Sequence, residues 1–351
     1  MKVVQVNLAT PPEGIEPEAL LETWHTLRDV AIAVRHAGAE VTVIQSFPRL
    51  AELTLGGVRF RFTPERVTRA VADCRADVIH VNGLDFAWHT RHLCGLGVPV
   101  LVQDHAGNAR WRPMVRRLGL GRVSGAAFTD AAQAEPFFAN GSLRKGLPIF
   151  AVPESSTLFT PGNREEARRK SGIFGDPAVL WIGRLDANKD PLTALDAVEL
   201  AATELPDLQL WCCFHRADLL AEVKARIDAS PLLRDRVRLL GAVPHGEVET
   251  LCRAADLYLS CSHSEGSGYA LIEAMACGAA PVASDIPAFR ALTKGPLAPV
   301  GDAGAFACGL IEMAAQPAEE RRQRTIAHFQ EELSFATVGA KLSTAYWALT
   351  L

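Results

Sequence analysis

The sequence SEGSGYALIEAMACG, residues 264–278, joins a glycine-rich turn to the start of an apolar helix. It follows DLYLS (256–260), a short apolar run typical of a buried strand. Gly266 and Gly268 allow a positive φ and close approach of the backbone to a ligand, and the free N–H groups of a first helical turn favour a phosphate. The stretch therefore predicts a strand–turn–helix unit with an anion site at the turn. Taken alone, it is also compatible with a plain connection.

Strand and helix patterns alternate on both sides of this unit, which indicates βαβ units and parallel sheets. One set of strand candidates runs from KVVQV (2–6) to IFAV (149–152), and a second from AVLWIG (178–183) to APV (298–300). Proline, glycine and charge replace the strand rhythm between the two sets. We therefore predict an α/β protein of two Rossmann-like, doubly wound domains.

The domain boundaries follow from this change of composition. We predict an N-terminal domain over 1–155, a linker with one short helix over 156–176, a C-terminal domain over 177–331 and a C-terminal helix over 332–351. The last element is predicted to be helical by the spacing of its apolar residues, Phe335, Val338, Leu342 and Tyr346.

Composition narrows the function classes. The chain has 351 residues, 48% of them hydrophobic, and a formal net charge of -4, which gives no global electrostatic reason to expect a nucleic-acid partner. Its eight cysteines are scattered without Cys-x-x-Cys spacing, so they are interpreted as reduced residues of a cytoplasmic protein. Apolar runs are too short for a signal sequence or a membrane span. We expect a soluble protein.

Two cations follow the strand AVLWIG. Arg184 and Lys189 lie in the loop after it, and ligands of doubly wound sheets bind beyond the carboxyl ends of the strands. Both side chains could therefore face the anion predicted at the glycine turn, although solvated loop charges remain an alternative. The sequence has no Asp-x-Asp pair to hold a metal ion. We expect no metal and no cofactor.

Two glutamates flank the turn. An ionised carboxylate accepts hydrogen bonds, and a sugar diol offers two donors. Glu273, about one turn inside the helix, is placed for a ribose, and Glu265, before the turn, for a sugar on the other side of a diphosphate.

The segment EGSGYALIEAMACGAAPVASDIPAFRAL, with seven residues between Glu265 and Glu273, resembles the E-x7-E region of retaining glycosyltransferases of family 4, which have the GT-B fold. Supporting segments are IGRLDANKDP, LLGAVPHGEVETLCRAADLYLSCS and PVGDAGAFA, with weaker similarity in DVIHVNG, PVLVQDHAG and VPESSTLFTPG. The resemblance implies two domains facing across a cleft, of which the C-terminal one binds the nucleotide sugar and the N-terminal one the acceptor. The final helix would cross back to the first domain.

The resemblance also implies a set of site residues. Those with catalytic roles would be Glu265, His105, Arg184 and Lys189, with His105 reaching the donor sugar. The substrate-binding residues would be Arg184, Lys189, Gly266, Ser267, Gly268, Tyr269, Glu273 and Val243. The implied reaction is metal-independent transfer of a sugar, with retention, from a nucleoside diphosphate sugar to a hydroxyl acceptor.

The chain departs from the family pattern in two places. The loop after the first strand has Gly14 as its only glycine, where family members often have a Gly-Gly pair, and Ser267 replaces a common aromatic residue. Two alternatives stay open: an epimerase of nucleotide sugars on the same fold, and a catalytically silent subunit that binds them.

Other motifs favour structural interpretations. His80, within the strand DVIHV, is predicted to be a core or strand-end histidine, and His245 and His263 lack metal-ligand spacing. The segment 109–123, ARWRPMVRRLGLGRV, sets Trp111, Met114, Val115 and Leu118 near one helical face, among Arg110, Arg112, Arg116 and Arg117. That pattern predicts an amphipathic helix packed on the sheet and is compatible with weak peripheral contact with an anionic membrane.

Overall fold

The computed structural model describes residues 1–105, 109–110 and 112–351. The chain forms two compact units: the first comprises Met1–Ser156 and Ser334–Leu351, and the second comprises Thr157–Leu333. Each unit is a Rossmann-like α/β domain, so the predicted fold class is confirmed.

The sheet of the first unit has eight strands within the described residues, in the order β3-β4-β2-β1-β5-β6-β7-β8. All neighbours pair in parallel except β3 and β4. The strands are β1 (Lys2–Asn7), β2 (Glu40–Ser46), β3 (Ala51–Leu55), β4 (Val58–Thr63), β5 (Val78–Asn82), β6 (Val100–Gln103), β7 (Gly125–Phe128) and β8 (Ile149–Ala151).

Strand β3 is not among the strand candidates of the sequence. Its residues AELTL alternate apolar with polar side chains and none is buried, because β3 is an antiparallel strand at the edge of the sheet. Gly56 and Gly57, both with positive φ, form the two-residue turn to β4. A Gly-Gly pair between two strands is a known hairpin signal, so the β3–β4 hairpin could have been predicted from the sequence.

Helices cover both faces of this sheet and bury an apolar core on each. They are α1 (Pro17–Thr23), α2 (His25–His36), α3 (Val67–Asp73), α4 (Ala87–Cys94), α5 (Pro113–Leu120) and α6 (Glu135–Ala139), with 3₁₀ turns at Leu84–Phe86 and Ala131–Ala134.

The second unit begins with α7 (Arg164–Ser171) and contains a six-stranded parallel sheet of order β11-β10-β9-β12-β13-β14. Its strands are β9 (Ala178–Gly183), β10 (Gln209–Phe214), β11 (Val237–Gly241), β12 (Leu257–Ser260), β13 (Ala280–Ser284) and β14 (Leu297–Ala298). The remaining helices are α8 (Pro191–Ala201), α9 (Leu220–Ala229), α10 (Pro231–Arg236), α11 (His245–Ala254), α12 (Tyr269–Cys277), α13 (Pro287–Leu292), α14 (Ala303–Ala314) and α15 (Ala318–His328), followed by a π-helical turn at Phe329–Leu333. The strand order reverses between β9 and β12, which is where such sheets bind ligands.

Residues 157–176, predicted as linker, belong to the second unit. Ala167 and Ile173 are buried in its core, and Arg164 and Arg168 form ion pairs of 2.5 and 2.6 Å with the buried carboxylate of Asp256. The prediction over 156–176 was a linker with one short helix, and the proline- and charge-rich composition gave no sign of these buried anchors in the second unit.

The last helix, α16 (Phe335–Thr350), belongs to the first unit. It buries Val338, Leu342 and Tyr346, in agreement with the helical spacing seen in the sequence. Gly339 lets α16 cross α2 closely, since a Cβ atom there would lie 2.4 Å from the carbonyl oxygen of Ala33.

Candidate functional site

The glycine turn of the second unit has the predicted positive φ at Gly268. Gly268 has a φ of +61° and is the N-cap of α12, directly after the loop that leaves β12. A Cβ atom at this position would lie 2.9 Å from Cδ1 of Leu292, so both the backbone conformation and the space require glycine. Gly266 and Ser267 precede it in the loop, and Tyr269 opens the helix. The N-terminus of α12 therefore begins at the turn with its partial positive charge.

The loop after β9 lies against this turn. The backbone N–H of His263 donates to the carbonyl of Asn188 (2.7 Å). The Asn188 side chain donates from Nδ2 to the backbone carbonyl of Ser264 (3.1 Å) and accepts through Oδ1 from the Ser264 hydroxyl (2.8 Å). His263 also donates from Nε2 to Asp190 (2.9 Å), the N-cap of α8. These contacts hold the loops after β9 and β12 together where the strand order reverses.

The two predicted cations lie in this double loop. Lys189 forms a partly buried ion pair with Glu265, and Arg184 forms one of 2.7 Å with Asp186. The sequence assigned Lys189 to a phosphate and Glu265 to a sugar as separate elements, whereas the structure brings the two side chains together. Their pairing fixes the ammonium group of Lys189 within the loop without a ligand.

Glu273 is 9% exposed on α12, and its carboxylate accepts a hydrogen bond from Nε2 of His245 (2.8 Å). The ring of His245 lies 5.0 Å from that of Phe159. Sequence reasoning considered His245 only as a metal ligand and missed this contact. Its position at the start of α11, two residues after Val243, gave no signal, because α11 and α12 come together only in the fold.

Glu265 and Glu273 both influence Tyr258, which lies on β12. Burial raises the pKa of the Tyr258 hydroxyl well above its ordinary value, and the negative charge of Glu265 and, more weakly, of Glu273 adds to the increase. The two carboxylates therefore share one neighbourhood around β12. Val243, also a predicted substrate-binding residue, is half-buried and packs against the apolar core of the second unit.

His105 lies in the first unit, just beyond β6. Its Nδ1 donates to Oε1 of Glu154 (2.5 Å), which places a carboxylate behind the imidazole. Nε2 of His105 is buried and has no hydrogen-bond partner within the described part of the chain. Glu154 was not among the predicted site residues. Its segment, VPESS, is separated from His105 by 49 positions, so only the parallel sheet reveals the pair.

His105 and Glu154 line a cavity of about 280 Å³ at the carboxyl ends of β1, β5 and β6. Other lining residues are Asn7, Asn82 and Trp24. This cavity lies at the second place where the strand order reverses, between β1 and β5. Both units thus present polar side chains at the position expected for a ligand of a doubly wound sheet.

His80 lies in the core beneath this cavity, as predicted. It is fully buried, and its Nδ1 is 2.7 Å from the hydroxyl of Tyr346 on α16. Burial lowers the pKa of His80 to about 3, and the positive charge of a protonated His105 would add to the decrease. The imidazole is therefore neutral at physiological pH.

The predicted amphipathic segment 109–123 is helical over α5, whereas Trp111 lies outside the described residues. Met114 and Leu118 are more than half exposed. Arg116 does not belong to the exposed basic surface: it is 1% exposed, pairs with Asp85 and lies over the ring of Phe137. The helical pattern could not distinguish this buried arginine from its exposed neighbours.

Among the described residues, no group of three or more His, Cys, Asp or Glu side chains is placed to hold a metal ion. Nor does any helix in the described ranges reach the length and apolarity needed to cross a membrane.

Residues 163–329 match the protein family described as "Glycosyl transferases group 1". The chain is 36% identical over 213 residues to a phosphatidyl-myo-inositol mannosyltransferase of Mycobacterium tuberculosis, covering 57% of this chain and 51% of that protein. It is 26% identical over 229 residues to a GDP-mannose:cellobiosyl-diphosphopolyprenol alpha-mannosyltransferase of Xanthomonas oryzae, covering 62% and 58%. The matches thus span about half the length of these relatives. The family match lies within the second unit, Thr157–Leu333.

Solved structures agree on the fold. Anabaena Alr3699/HepE in complex with UDP superposes with a TM-score of 0.72 at 17% identity, covering 99% of this chain and 100% of that one. Sucrose-phosphate synthase from Thermosynechococcus elongatus gives a TM-score of 0.66 at 18% identity, with 99% coverage of both chains. The architecture is therefore that of GT-B glycosyltransferases.

Proposed function

We propose that this protein is a retaining glycosyltransferase of family 4 type that moves a sugar from a nucleoside diphosphate sugar to a hydroxyl acceptor without a metal ion. The observation that carries the proposal is the double loop of the second unit. It combines the N-terminus of α12, the ion pair of Lys189 with Glu265, and Arg184 at a single strand reversal. The resemblance of the E-x7-E segment, the family match and the UDP bound by the Anabaena neighbour support a nucleotide-sugar donor.

In this proposal the bond between the anomeric carbon and the diphosphate breaks while the acceptor oxygen bonds to the same face of that carbon. The proton of the acceptor hydroxyl passes to an oxygen of the leaving diphosphate, so no side-chain base is needed. Arg184, Lys189 and the backbone N–H groups at Gly268 and Tyr269 stabilise the charge that develops on the diphosphate. Fixed donors and dipoles of this kind act most strongly in the transition state.

The two glutamates have different roles in the proposal. Glu273 accepts from the ribose diol, and its hydrogen bond with His245 orients the carboxylate. Glu265 accepts from a hydroxyl of the transferred sugar and thereby sets the orientation of the anomeric carbon. For the same-face reaction, the orientation of the anomeric carbon matters more than the affinity for the sugar.

A thermal-shift screen of nucleotide sugars, including UDP-glucose and GDP-mannose, tests donor binding. A ligand at 100 times its dissociation constant adds about 2.7 kcal/mol of stability. A protein stabilised by no nucleotide sugar would refute the proposal. A retaining transferase should transfer the sugar to a hydroxyl acceptor and form an axial anomeric bond from an axial donor. An epimerase would convert the donor without any acceptor, and a silent binding subunit would do neither.

Calorimetry and kinetics on Glu273→Gln and Glu265→Gln test the two roles. Glu273→Gln should weaken the binding of free nucleoside diphosphate and raise the KM for the donor, because the ribose contact is made in both the ground state and the transition state. Glu265→Gln should lower kcat without weakening the binding of free diphosphate. Matching profiles for the two variants would show that this division is wrong.

We also propose weak peripheral contact of the first unit with an anionic membrane. Trp88 on α4 and Met114 and Leu118 on α5 are each more than half exposed, and Arg91 and Arg117 lie on the same pair of helices. Exposed apolar groups among cations suit an anionic lipid surface.

Sedimentation with phosphatidylglycerol or phosphatidylcholine vesicles tests this contact. The double variant Met114→Ser/Leu118→Ser should lose most of its binding to the anionic vesicles, and wild-type protein should not bind the neutral vesicles. Leu50→Ser, at a side chain 62% exposed elsewhere in the first unit, is the matched control. Equal sedimentation of all three proteins would refute the contact.

The eight cysteines, all free, support a reducing cytoplasmic location.

A further inference from the structure

The cavity of the first unit is built on a row of carboxamides. Gln45, Asn7, Asn82 and Gln103 are in register across the neighbouring strands β2, β1, β5 and β6. Side chains in register on parallel strands project from the same face of the sheet. Because all four are the last or nearly the last residues of their strands, the row lies at the carboxyl edge.

The outer members of the row are occupied by the protein itself. Nε2 of Gln45 donates to the carbonyl of Ala9 (2.9 Å), and Nε2 of Gln103 donates to that of Pro153 (3.4 Å). Of the two inner amides, Asn7 accepts through Oδ1 from the backbone N–H of Ala9 (3.3 Å), whereas Asn82 lines the cavity with no side-chain hydrogen bond among the described residues. The fold therefore fixes the outer amides and leaves a central one for a ligand.

The chemistry of the cavity lining fits hydroxyl groups. A carboxamide both donates and accepts, so it can bond a hydroxyl in either role. Trp24 adds an apolar ring surface of the kind that covers the C–H face of a sugar. At about 280 Å³, the cavity is at the small end of ligand pockets, which suits a single ring.

The charges of the lining do not fit a phosphate. Two carboxylates, Asp85 and Glu154, line the cavity, and each already has its partner, Arg116 and His105 respectively. No lysine or arginine is among the lining residues in the described part of the chain. Proteins normally recognise phosphate through such cations.

We infer that the part of the acceptor that enters this cavity is an uncharged polyhydroxylated ring, a sugar or cyclitol unit that carries no phosphate. The inference rests on the proposed function, which leaves the acceptor open. Asn82 bonds its hydroxyls, and His105 lies at the side of the cavity formed by β6.

Matched acceptor pairs test the inference: glucose with glucose 6-phosphate, mannose with mannose 6-phosphate, and myo-inositol with its monophosphate. Each is assayed for transfer from the donor that stabilises the protein in the thermal-shift screen. We expect the neutral member of the preferred pair to have a kcat/KM at least tenfold higher. A phosphorylated member used equally well or better would overturn the inference, while donor binding and retention would still support the proposed function. Absence of donor binding would instead count against the proposed function.

A charge variant adds a second measurement. Asn82→Asp keeps the size of the side chain but removes its donor, and we expect it to raise the acceptor KM at least tenfold for the neutral ring. Asn140→Asp, the same change at an exposed position of the first unit, is the control and should stay within twofold of wild type. An unchanged acceptor KM in Asn82→Asp would place the acceptor elsewhere.

Discussion

Replacing Gly268 with alanine tests whether the turn before α12 is built for close approach of a ligand. The substitution has two separate costs. The left-handed backbone conformation at φ +61° costs an alanine about 1–2 kcal/mol. The new Cβ atom would also lie 2.9 Å from Leu292 and 3.1 Å from Phe289, which are 0% and 1% exposed and have little room to move. Overpacking of that kind costs about 1–3 kcal/mol.

Gly172 separates the two costs. It has a φ of +75° at the end of α7, and nothing lies within 4 Å of an added Cβ atom. Gly172→Ala should therefore lower the free energy of unfolding of the second unit by the backbone cost alone, about 1–2 kcal/mol. Gly268→Ala should lower it by the sum, about 2–5 kcal/mol. Urea unfolding of both variants measures the difference.

The same pair of variants connects the turn to function. In Gly268→Ala the first turn of α12 has to move away from Leu292, so its N–H groups leave the position where a diphosphate would bind. We expect at least a tenfold loss of affinity for free nucleoside diphosphate by calorimetry, and a change of less than twofold in Gly172→Ala. Equal stability of the two variants, or full diphosphate affinity in a folded Gly268→Ala protein, would refute the reasoning.

Four further outcomes are expected. Transfer should persist in excess EDTA, and a loss restored by magnesium or manganese would exclude charge stabilisation by protein cations alone. Arg184→Ala and Lys189→Ala should each lower kcat about 100-fold, as loss of an oxyanion donor does; wild-type kinetics in both would make them solvated charges. His105→Ala should impair transfer and spare affinity for free diphosphate, and a parallel loss of both would give His105 a structural role. Because the pKa of His80 falls from 6.5 to about 3 on folding, the unfolded chain takes up the proton first as pH falls below 6.5. Stability should therefore decrease by about 1.4 kcal/mol between pH 7.5 and 5.5 through this residue, and a His80→Asn variant with the same pH slope would contradict it.

The sequence predicted the elements whose signal is local. Alternation of apolar runs with helical spacing indicated two doubly wound sheets, and the run from DLYLS into the glycine turn indicated the unit β12–α12. The hairpin strand β3 was missed because it has no continuous apolar run, although its alternation of apolar and polar residues and its Gly-Gly turn are local signals.

The contacts within the sites could not be predicted in the same way. Glu154 meets His105 only because β6 and β8 flank β7 in one sheet, and His245 meets Glu273 only because α11 packs beside α12. Arg116 has the same pattern as its exposed neighbours and is nevertheless buried against Phe137. In each case the decisive partner is distant along the chain and has no spacing that a single sequence reveals.

The ion pair of Lys189 with Glu265 changes what the E-x7-E arrangement is expected to do. If the carboxylate of Glu265 bound only the sugar, loss of its charge should leave affinity for free diphosphate unchanged. In the structure the same carboxylate neutralises Lys189. A diphosphate must therefore compete with Glu265 for the ammonium group. When Lys189 turns to the phosphates, Glu265 is released to accept from the hydroxyls of the donor sugar. Binding of the diphosphate and orientation of the sugar are then coupled through one side chain. Glu265→Gln should consequently bind free diphosphate slightly more tightly than the wild type while turning over more slowly, a combination that a purely sugar-binding glutamate would not produce.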